Sequence, residues 1–397
     1  MMKFLRYILV LLVAVSPSAH SQKSQFVDVL DGRFDVSDYL SENAYGFLPV
    51  PVIITDPAVD GGLGMAGIFF HETEEERDQR MQAMRNPDKD ASRHLLPPSL
   101  SVVAGAYTGN ESWFVGGGHL GFFFGDKLRY SIFGGYGNVN LDFYGTGEIN
   151  LRRPLELNTE ASALFQKLKV RIPESHWFVG IAQRYIDGDT RPNTLGDFDS
   201  IIPPEWQEPV KNILRQKATL SGMGFNFEYD SRDNLFSPRT GFKYELEHLW
   251  YRDEIGSDVE YNLTTLEGLN YWQFKERWLL GIKVASEYAD SAQLLPTYAN
   301  PSIDLRGIPS ARYQGESVAQ AEVELGWLLD NRWKLLAFTG AGRTSLDYSD
   351  LSSAQSQVAK GVGFRYQIAR RYGFDMGVDV AKGPEESVFY ITAGSSW

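Results

Sequence analysis

Apolar and polar side chains alternate along many stretches of this chain. Such alternation is typical of a β-strand, because successive side chains point to opposite faces of the sheet. The segment Trp278–Tyr288 has apolar residues at nearly every second position, while Lys283 and Glu287 lie on the other face. The same pattern recurs at 223–229 and 374–380. We therefore expect an all-β protein.

The alternating segments number about sixteen, an even number as in bacterial single-chain membrane barrels. The predicted strands span 61–70, 101–107, 113–124, 127–136, 139–149, 160–172, 177–186, 217–229, 241–251, 260–274, 277–288, 317–329, 332–343, 358–368, 372–381 and 388–397. Residues 48–57 contain three prolines and are expected only to lead into the first of these strands.

Strand length separates a membrane barrel from a soluble β-sandwich. Strands of soluble proteins average about 5 or 6 residues, and their apolar face packs on a second sheet. Many stretches here are about twice as long, and aromatic residues cluster at their ends, as in the girdles of outer-membrane barrels. Their polar faces carry charges of both signs, which suits a wet or ion-paired lumen. We predict a transmembrane antiparallel β-barrel of about sixteen strands.

The first residues have the pattern of a secretory signal peptide. Lys3 and Arg6 supply positive charge before a short apolar run, and Ala19-His20-Ser21 resembles a cleavage site. The apolar run is too short for a membrane-spanning helix, which needs about 20 residues. The predicted organisation is a signal peptide at 1–21, a short periplasmic segment at 22–48 and a barrel at 49–397.

Composition narrows the function classes. The chain is acidic, with a formal net charge of -13, and has no clustered basic face, so we expect no nucleic-acid partner. It has no cysteine, so we expect no disulfide, lipoprotein anchor or thiolate metal site. We also expect no other metal site and no cofactor. We find no serine and carboxylate that would form a nucleophile–base set with a histidine of the mature chain. These histidines are His71, His94, His119, His176 and His248. We expect no enzymatic activity.

The predicted connections alternate in length, which orients the barrel. Periplasmic turns of such barrels are short, and the outer loops are longer. Tight turns such as 109–111 and 330–331 follow even-numbered predicted strands, whereas the long connections 71–98, 187–216 and 289–316 follow odd-numbered ones. We therefore expect both termini in the periplasm and the long connections outside.

Two of these long connections have helical features. Thr73 and Glu76 have the spacing of a capping box, which opens a charged stretch that ends at Arg85. Residues 204–215 form the second candidate helix. We interpret both as loop decoration rather than as binding sites.

Three motifs stand out in the second half of the chain. The first is the turn Asp230-Ser-Arg-Asp233-Asn-Leu-Phe-Ser-Pro238-Arg-Thr-Gly241, whose Asp, Asn, Pro and Gly residues suit a tight turn. The second is Leu305-Arg306-Gly307-Ile308, in the long connection before the twelfth strand. The third is the inward-facing pair Glu322 and Glu324, followed by Phe338-Thr-Gly340-Ala-Gly342. Together they resemble the BamA/TamA superfamily of outer-membrane assembly and secretion barrels, also called bacterial surface antigens.

That superfamily carries a D-x-R-D…F-x-P-x-x-G turn, an [LVI]-R-G-[FY] motif in its sixth outer loop and an F-x-D-x-G strand after it. Its sixth loop folds into the lumen. The resemblance therefore implies that Arg306 and Gly307 form a loop plug, in which Arg306 pairs with Glu322 or Glu324. The alternative is an arginine in a solvated loop.

Two positions depart from the superfamily pattern. Ile308 replaces the usual aromatic residue, and Gly340 replaces the acid, so Arg306 is expected to have at most the partners on the twelfth strand. The sequence has no room for the periplasmic POTRA domains that receive clients, so we expect a barrel-only member. The final strand ends at Trp397, and this aromatic end resembles the C-terminal signal by which such barrels are recognised for insertion.

The resemblance implies a role in outer-membrane assembly or in translocation of protein or lipid, through a seam between the first and last strands. Glycines at 61–64 are candidates for weakening that seam. The alternative is a passive pore or a structural barrel, in which lumen charges set the ion preference; these are Lys167, Lys169, Arg171, Glu245 and Glu247. Expected partners are outer-membrane lipid and lipopolysaccharide, the assembly machinery during insertion, and a homodimer or a periplasmic protein.

Overall fold

The computed structural model describes residues 26–28, 30–42, 47–76, 78, 82, 98–144, 155–193 and 216–397, and all structural statements concern these residues. The expected signal peptide at 1–21 and the candidate helix at 204–215 lie outside them.

Sixteen strands form one antiparallel sheet, in which each strand pairs with its neighbours in sequence. The strands are β1 (Phe47–Ile54), β2 (Gly62–His71), β3 (Ser99–Thr108), β4 (Trp113–Phe123), β5 (Leu128–Phe143), β6 (Leu155–Arg171), β7 (Trp177–Pro192), β8 (Gln216–Asp230), β9 (Gly241–Tyr251), β10 (Tyr261–Lys275), β11 (Trp278–Ser291), β12 (Ser317–Leu328), β13 (Trp333–Ser345), β14 (Gln357–Ala369), β15 (Phe374–Lys382) and β16 (Ser387–Ala393). The sheet curls into a nearly closed barrel, which confirms the predicted fold class.

The count of sixteen is right, although two of the predicted strands were wrong. The proline-containing segment expected to precede the barrel forms β1, which pairs with β2 along all 8 of its residues. The predicted strands 127–136 and 139–149 are one 16-residue strand, β5. Gly137 and Asn138 suggest a turn in the sequence, but they stay paired with β6. The two errors cancel in the total.

The outer surface is apolar and ends in aromatic rings near one rim. Trp177 packs edge-on against Tyr229 with ring centroids 5.1 Å apart, and Trp278 stacks on Trp327 at 6.1 Å. All four rings lie on the outward-facing positions of their strands. Such rings occupy the membrane–water interface in outer-membrane barrels.

The two rims carry different connections. Connections that follow even-numbered strands lie at one rim, here called the turn rim, and those that follow odd-numbered strands lie at the other, the loop rim. The connection from β2 to β3 therefore begins and ends at the turn rim, and the turn at 109–111 lies at the loop rim. Both assignments from the sequence were wrong, because the missed β1 shifted the parity of every strand before β5.

Helical structure is confined to short pieces. The α-helix α1 (Ser37–Glu42) precedes the barrel, and the described residues 74–76, 78 and 82 after β2 are also helical. Single 3-10 turns occur at Pro57–Val59, Asp253–Ile255, Thr297–Ala299, Tyr348–Asp350 and Arg370–Tyr372. The capping box forms as predicted, since the Glu76 amide donates to Thr73 Oγ1 at 3.2 Å and the Thr73 amide donates to the Glu76 carboxylate at 2.9 Å. None of the described helices is long and apolar enough to cross a membrane.

The inward face has two unlike halves. Beyond β5 it carries many charges, and these are paired: Lys167 Nζ lies 2.7 Å from both Glu245 and Glu247, and Lys243 lies 2.9 Å from Glu267. In contrast, the inward positions within β1 to β4 carry no charged residue. They are Leu48, Val50, Val52, Ile54, Gly62, Gly64, Ala66, Ile68, Phe70, Leu100, Val102, Ala104, Ala106, Thr108, Phe114, Gly116, Gly118, Leu120 and Phe122. The polar-in pattern therefore holds for only part of the barrel.

Candidate functional site

The sixth loop-rim connection, residues 292–316 between β11 and β12, folds into the lumen. Its apolar residues Ile303, Leu305 and Ile308 are buried and pack with Val318 and Ala359 on the barrel wall. Ile308, which replaces the aromatic residue of the superfamily motif, thus has a packing role of its own. This burial holds the loop inward before any charge pairing is considered.

Arg306 is the polar centre of this loop. Its guanidinium contacts three carboxylates on the barrel wall, at 2.5 Å from Glu322, 2.9 Å from Glu324 and 2.9 Å from Asp379. Burial alone would lower the pKa of Arg306, but the charges of Glu324 and Glu322 outweigh it and raise the pKa. A buried guanidinium is tolerated only when it is paired and hydrogen-bonded in this way.

The expectation that Arg306 has partners only on the twelfth strand was wrong, because Asp379 also contacts it. This carboxylate comes from β15 and is fully buried. It also accepts two hydrogen bonds from Arg365, at 2.6 and 2.8 Å, in a bidentate arrangement. Gly340, where the superfamily has an acid, leaves room for Leu305, because a Cβ there would lie 3.0 Å from Leu305 Cδ2. The acid is thus supplied from a different strand.

Phe338 lies beneath Arg306. The Arg306 guanidinium carbon is 3.5 Å from the centroid of its ring, which is cation–π geometry. Phe338 projects inward from β13, directly opposite Glu324 on β12. The strand that follows the carboxylates therefore supplies an aromatic face as well.

The C-terminal residues turn into the lumen and join this cluster. β16 ends at Ala393, and Gly394 adopts a left-handed conformation with φ 86°. Ser396 Oγ accepts hydrogen bonds from Arg306 at 3.0 Å and Arg365 at 2.7 Å and donates to Glu324. The expectation that the last strand extends to Trp397 was therefore wrong.

Trp397 closes the cluster from the side of β10 and β11. Its indole Nε1 donates to Glu322 at 2.5 Å, and its ring lies 5.6 Å from that of Tyr271. A Cβ on Gly281 would lie 2.6 Å from the indole, so this inward glycine makes room for the ring. The role of Trp397 as an insertion signal remains a prediction.

The barrel is incompletely closed between β1 and β16. Among the described strands, hydrogen-bonded pairing joins each strand to the next but does not join β16 to β1. Pro49 and Pro51 lie in β1, and proline has no N–H to donate. Alternate N–H groups of an antiparallel strand point to the same neighbour. Because β1 keeps its full pairing with β2, both missing donors fall on the edge that faces β16.

The glycines expected to weaken this seam lie elsewhere. Gly62 and Gly64 belong to β2, between β1 and β3. A Cβ on Gly62 would lie 2.5 Å from the Tyr107 carbonyl oxygen, and one on Gly64 would lie 2.6 Å from that of Gly105. These glycines permit close packing of β2 on β3, and the prolines mark the seam.

The sixth loop bridges the seam at the loop rim. The Gly307 amide donates to the hydroxyl of Tyr390 on β16 at 2.9 Å, and Ser310 Oγ donates to Asp56, just after β1, at 2.5 Å. Gly307 has φ 97°, and a Cβ on Gly383 would lie 1.9 Å from the Gly307 carbonyl oxygen. The backbone of the loop tip thus rests directly on the β15–β16 connection. We call these contacts, together with those of Arg306 on the barrel wall, the loop clasp.

A second bridge, the N-terminal clasp, lies at the turn rim. Arg332, in the β12–β13 turn, has a fully buried side chain that contacts Asp28 at 2.6 Å, Asp31 at 2.6 Å and Asp35 at 2.5 Å. Asp28 also contacts Arg370 at 2.5 Å. Burial alone would raise the pKa of Asp28 and of Asp31. Hydrogen bonds from Arg370 to Asp28 and from Arg332 to Asp31 outweigh burial, and both pKa values are lowered.

Apolar contacts complete the N-terminal clasp. Val36 and Leu40, at α1, pack with Phe70 at the end of β2 and with Tyr372 in the β14–β15 connection. The rings of Phe70 and Tyr372 stack with centroids 5.6 Å apart. The segment before β1 therefore links strands on both sides of the seam. Its three-aspartate spacing was visible in the sequence, but its partners come from turns about 300 residues away.

The Asp230–Gly241 turn crosses the turn rim rather than closing a tight hairpin. Asp230 contacts Arg232 at 2.9 Å and Arg129 at 2.8 Å. Asp233 Oδ1 accepts the amides of Arg239 and Thr240, Pro238 is buried, and Gly241 has φ 104°. The Phe236 carbonyl accepts the Ser395 amide at 2.5 Å. The motif thus supports the inward-turned C-terminal residues.

Two other polar groups bear on the enzyme and metal expectations. Ser101 Oγ lies 2.9 Å from both His71 Nε2 and His119 Nδ1, on the outward face near the turn rim. Neither histidine is hydrogen-bonded to a carboxylate among the described residues, so no nucleophile–base–acid set is formed. Three exposed carboxylates meet at the loop rim, those of Asp253, Glu254 and Glu260. Exposed acidic groups of this kind are common without a metal ion.

Comparisons with solved structures identify the architecture. Superposition on BamA from Haemophilus ducreyi lacking POTRA domains 1–3 gives a TM-score of 0.53 at 13% identity and covers 88% of this chain and 70% of that chain. The chain has the barrel fold of BamA. CdiB from Acinetobacter baumannii gives a TM-score of 0.52 at 9% identity over 87% of this chain and 59% of CdiB. CdiB from Escherichia coli gives 0.54 at 10% identity over 87% and 62%.

No family model matches the sequence, and no curated protein matches it. The chain spans less than two thirds of either CdiB chain. At these identities the likeness establishes the barrel fold alone.

Proposed function

We propose that this BamA-type barrel acts in outer-membrane assembly or translocation, by moving a polypeptide or a lipid through a lateral opening between β1 and β16. The observation that carries the proposal is the edge of β1. Pro49 and Pro51 remove two donors from that edge, and no ladder bonds join β1 to β16.

Energetics single out this seam as the place of opening. Separating any two paired strands breaks a ladder of backbone hydrogen bonds, each contributing about 0.5–1.5 kcal/mol net. Between β1 and β16 there is no such ladder to break. The seam is held by the two clasps, which are made of side-chain contacts and of one loop tip.

Both clasps hold the seam closed. The loop clasp joins Tyr390 on β16 to the loop tip and joins that tip to Asp56 after β1. The N-terminal clasp joins β1 and β2 to the β14–β15 connection. Either clasp alone resists separation of the strands, so opening requires release of both. A client or a periplasmic partner that displaces residues 26–42 would release one of them.

In this proposal the turn rim faces the periplasm, with both termini on that side. The aromatic rings near Trp177 and Trp278 then lie at the periplasmic membrane interface. Outer-membrane lipid and lipopolysaccharide surround the barrel, and the assembly machinery inserts it. A homodimer or a separate periplasmic protein would deliver clients to the turn rim.

The passive-pore alternative is less well supported. The sixth loop is packed into the lumen by Ile303, Leu305 and Ile308, and Arg306 is fixed by three carboxylates. A pore held shut by this many contacts conducts little in a planar bilayer.

Depletion of the chain in its own cells tests the proposal. The outer-membrane proteome and lipid content are measured with and without the chain, and the purified barrel is measured for conductance. We expect loss of specific outer-membrane components together with low conductance. An unchanged outer membrane together with a large, steady conductance would refute the proposal and establish the pore.

A further inference from the structure

The lumen also contains an apolar cavity that the seam mechanism does not use. It has a volume of about 770 Å³ and lies between the β3–β6 wall and the sixth loop. Pockets for small ligands have volumes of about 300–1,000 Å³. The loop side is formed by residues that include Tyr298, Ser310 and Gln314. The size alone is therefore that of a ligand site.

Small inward-facing residues of the barrel wall leave the space for this cavity. Side chains at directly paired positions of neighbouring strands lie next to one another. One inward row across five consecutive strands contains only alanine and glycine: Ala66, Ala104, Gly116, Gly135 and Ala163. No side chain in this row extends beyond a methyl group, so the row forms a continuous hollow.

Aromatic rings border the hollow and face unfilled space. Phe114 and Phe133 are each 42% exposed and Phe165 is 37% exposed, although all three point into the lumen. Apolar rings that border a void lose dispersion contacts on that side. These rings and the methyl groups beside them offer water no hydrogen-bond partner. It therefore favours an apolar occupant.

The cavity connects to the seam along an uncharged surface. The inward positions of β1 and β2 between the seam and the cavity include Val50, Val52, Ala66 and Ile68. A hydrocarbon chain that enters between β1 and β16 reaches the cavity without passing a charged group. A polypeptide segment with polar backbone would leave unsatisfied hydrogen-bonding groups on this wall. This favours a lipid chain over a peptide.

A smaller charged cavity adjoins the apolar one. It has a volume of about 460 Å³ and shares Phe133 and Phe165 with it. Its polar lining carries both signs of charge, from Lys167, Lys169, Arg184, Glu245 and Glu247. These charges are paired with one another or with Glu228. A zwitterionic head group supplies a phosphate for the cations and an ammonium for the carboxylates, so it can replace such partners without leaving a charge unpaired.

We propose that the apolar cavity binds an acyl chain of a zwitterionic glycerophospholipid, with the head group in the adjoining charged cavity. The site itself rests on the lining residues alone. Entry of the lipid through the seam rests on the proposed function.

Photolabelling tests the site. The probe is phosphatidylethanolamine with a diazirine near the end of one acyl chain, incorporated into vesicles that contain the folded barrel. We expect residue-level labelling at inward positions such as Ala104, Phe133 and Phe165. Ala163→Phe fills the hollow and should reduce this labelling at least tenfold, whereas the matched Ala163→Ser should leave it within twofold. Ala161→Phe provides a second filled cavity if Ala163→Phe does not fold.

Labelling confined to outward positions such as Val103 and Leu164 would mean annular lipid only and would overturn the proposal. So would inward labelling that the filled variants leave unchanged. Equal inward labelling by the phosphatidylglycerol analogue would overturn the head-group assignment. If inward labelling persists in a barrel whose β1–β16 seam is cross-linked before exposure to the probe, the site stands and entry through the seam is wrong.

Discussion

Arg306 lies on the ring of Phe338, with its guanidinium carbon 3.5 Å from the ring centroid. The same guanidinium reaches carboxylates on β12 and β15. One side chain of the sixth loop thus contacts three strands of the barrel wall. A solvated loop arginine would make none of these contacts.

Replacement of Arg306 tests the loop clasp. Arg306→Ala leaves Glu322, Glu324 and Asp379 with only Arg365 as a nearby guanidinium, so we expect a loss of about 3–5 kcal/mol in the free energy of unfolding. Urea unfolding in detergent micelles measures it. Arg343→Ala is the control, because Arg343 contacts only Ser356 and Ser352. Equal stability of the two variants would contradict the clasp, whereas partial recovery in Arg306→Ala/Glu322→Gln would support it.

Gly383 tests the backbone contact at the loop tip. A Cβ there would lie 1.9 Å from the Gly307 carbonyl oxygen, so Gly383→Ala should lift the tip from the β15–β16 connection. We expect faster hydrogen exchange across 303–310 with the strands unchanged. Gly105→Ala is the matched control, because its Cβ would meet only Phe114 at an ordinary 3.5 Å. Identical exchange in both variants would show that the tip does not rest on Gly383.

Replacement of Trp397 distinguishes two roles of this residue, stabilisation of the fold and recognition for insertion. Trp397→Phe keeps an aromatic end but removes the indole donor to Glu322, so we expect a loss of about 1.5–3 kcal/mol, as for a hydrogen bond to a charged group. Insertion yield should stay unchanged. Trp250→Phe on the outer surface is the control. Wild-type stability combined with a reduced insertion yield would mean that Trp397 acts in recognition alone.

The sequence predicted the fold from β6 onward and half of the Arg306 cluster. Alternation and motif spacing locate residues that are near in sequence or on adjacent strands, such as Glu322 and Glu324 beside their loop. Asp379 follows Arg306 by 73 residues, and only the closure of the barrel brings them together. The sequence did not predict the contact of Asp28 with Arg332 for the same reason, because these residues are far apart in the chain.

Proline explains the missed first strand. Pro49 and Pro51 argue against a central strand, which is correct, but an edge strand tolerates them. The two prolines therefore indicated where the seam lies, whereas the glycines at 61–64 did not. The uncharged inner wall of β1 to β4 could also be predicted from the sequence, because these strands are apolar on both faces.

The N-terminal clasp should depend on pH. The pKa values of Asp28 and Asp31 are lowered in the docked state, so their contribution is complete above the ordinary value of 3.8 and is lost as the pH falls through the lowered values. We expect residues 26–42 to stay protected from hydrogen exchange at pH 5 to 7 and to become exposed in stronger acid. Arg332→Gln should expose them already at neutral pH. Protection that is unchanged in this variant would contradict the clasp.

Lateral opening is tested by a disulfide that joins β1 to β16. The chain has no cysteine, so one facing position on each strand, with Cα atoms within about 7 Å of each other, can be replaced by cysteine and the pair oxidised cleanly. Cells that depend on the variant are compared before and after reduction, with each single cysteine variant as a control. We expect that the oxidised barrel folds but fails to restore outer-membrane composition, and that reduction restores it. Full restoration by the oxidised, quantitatively cross-linked barrel would contradict lateral opening.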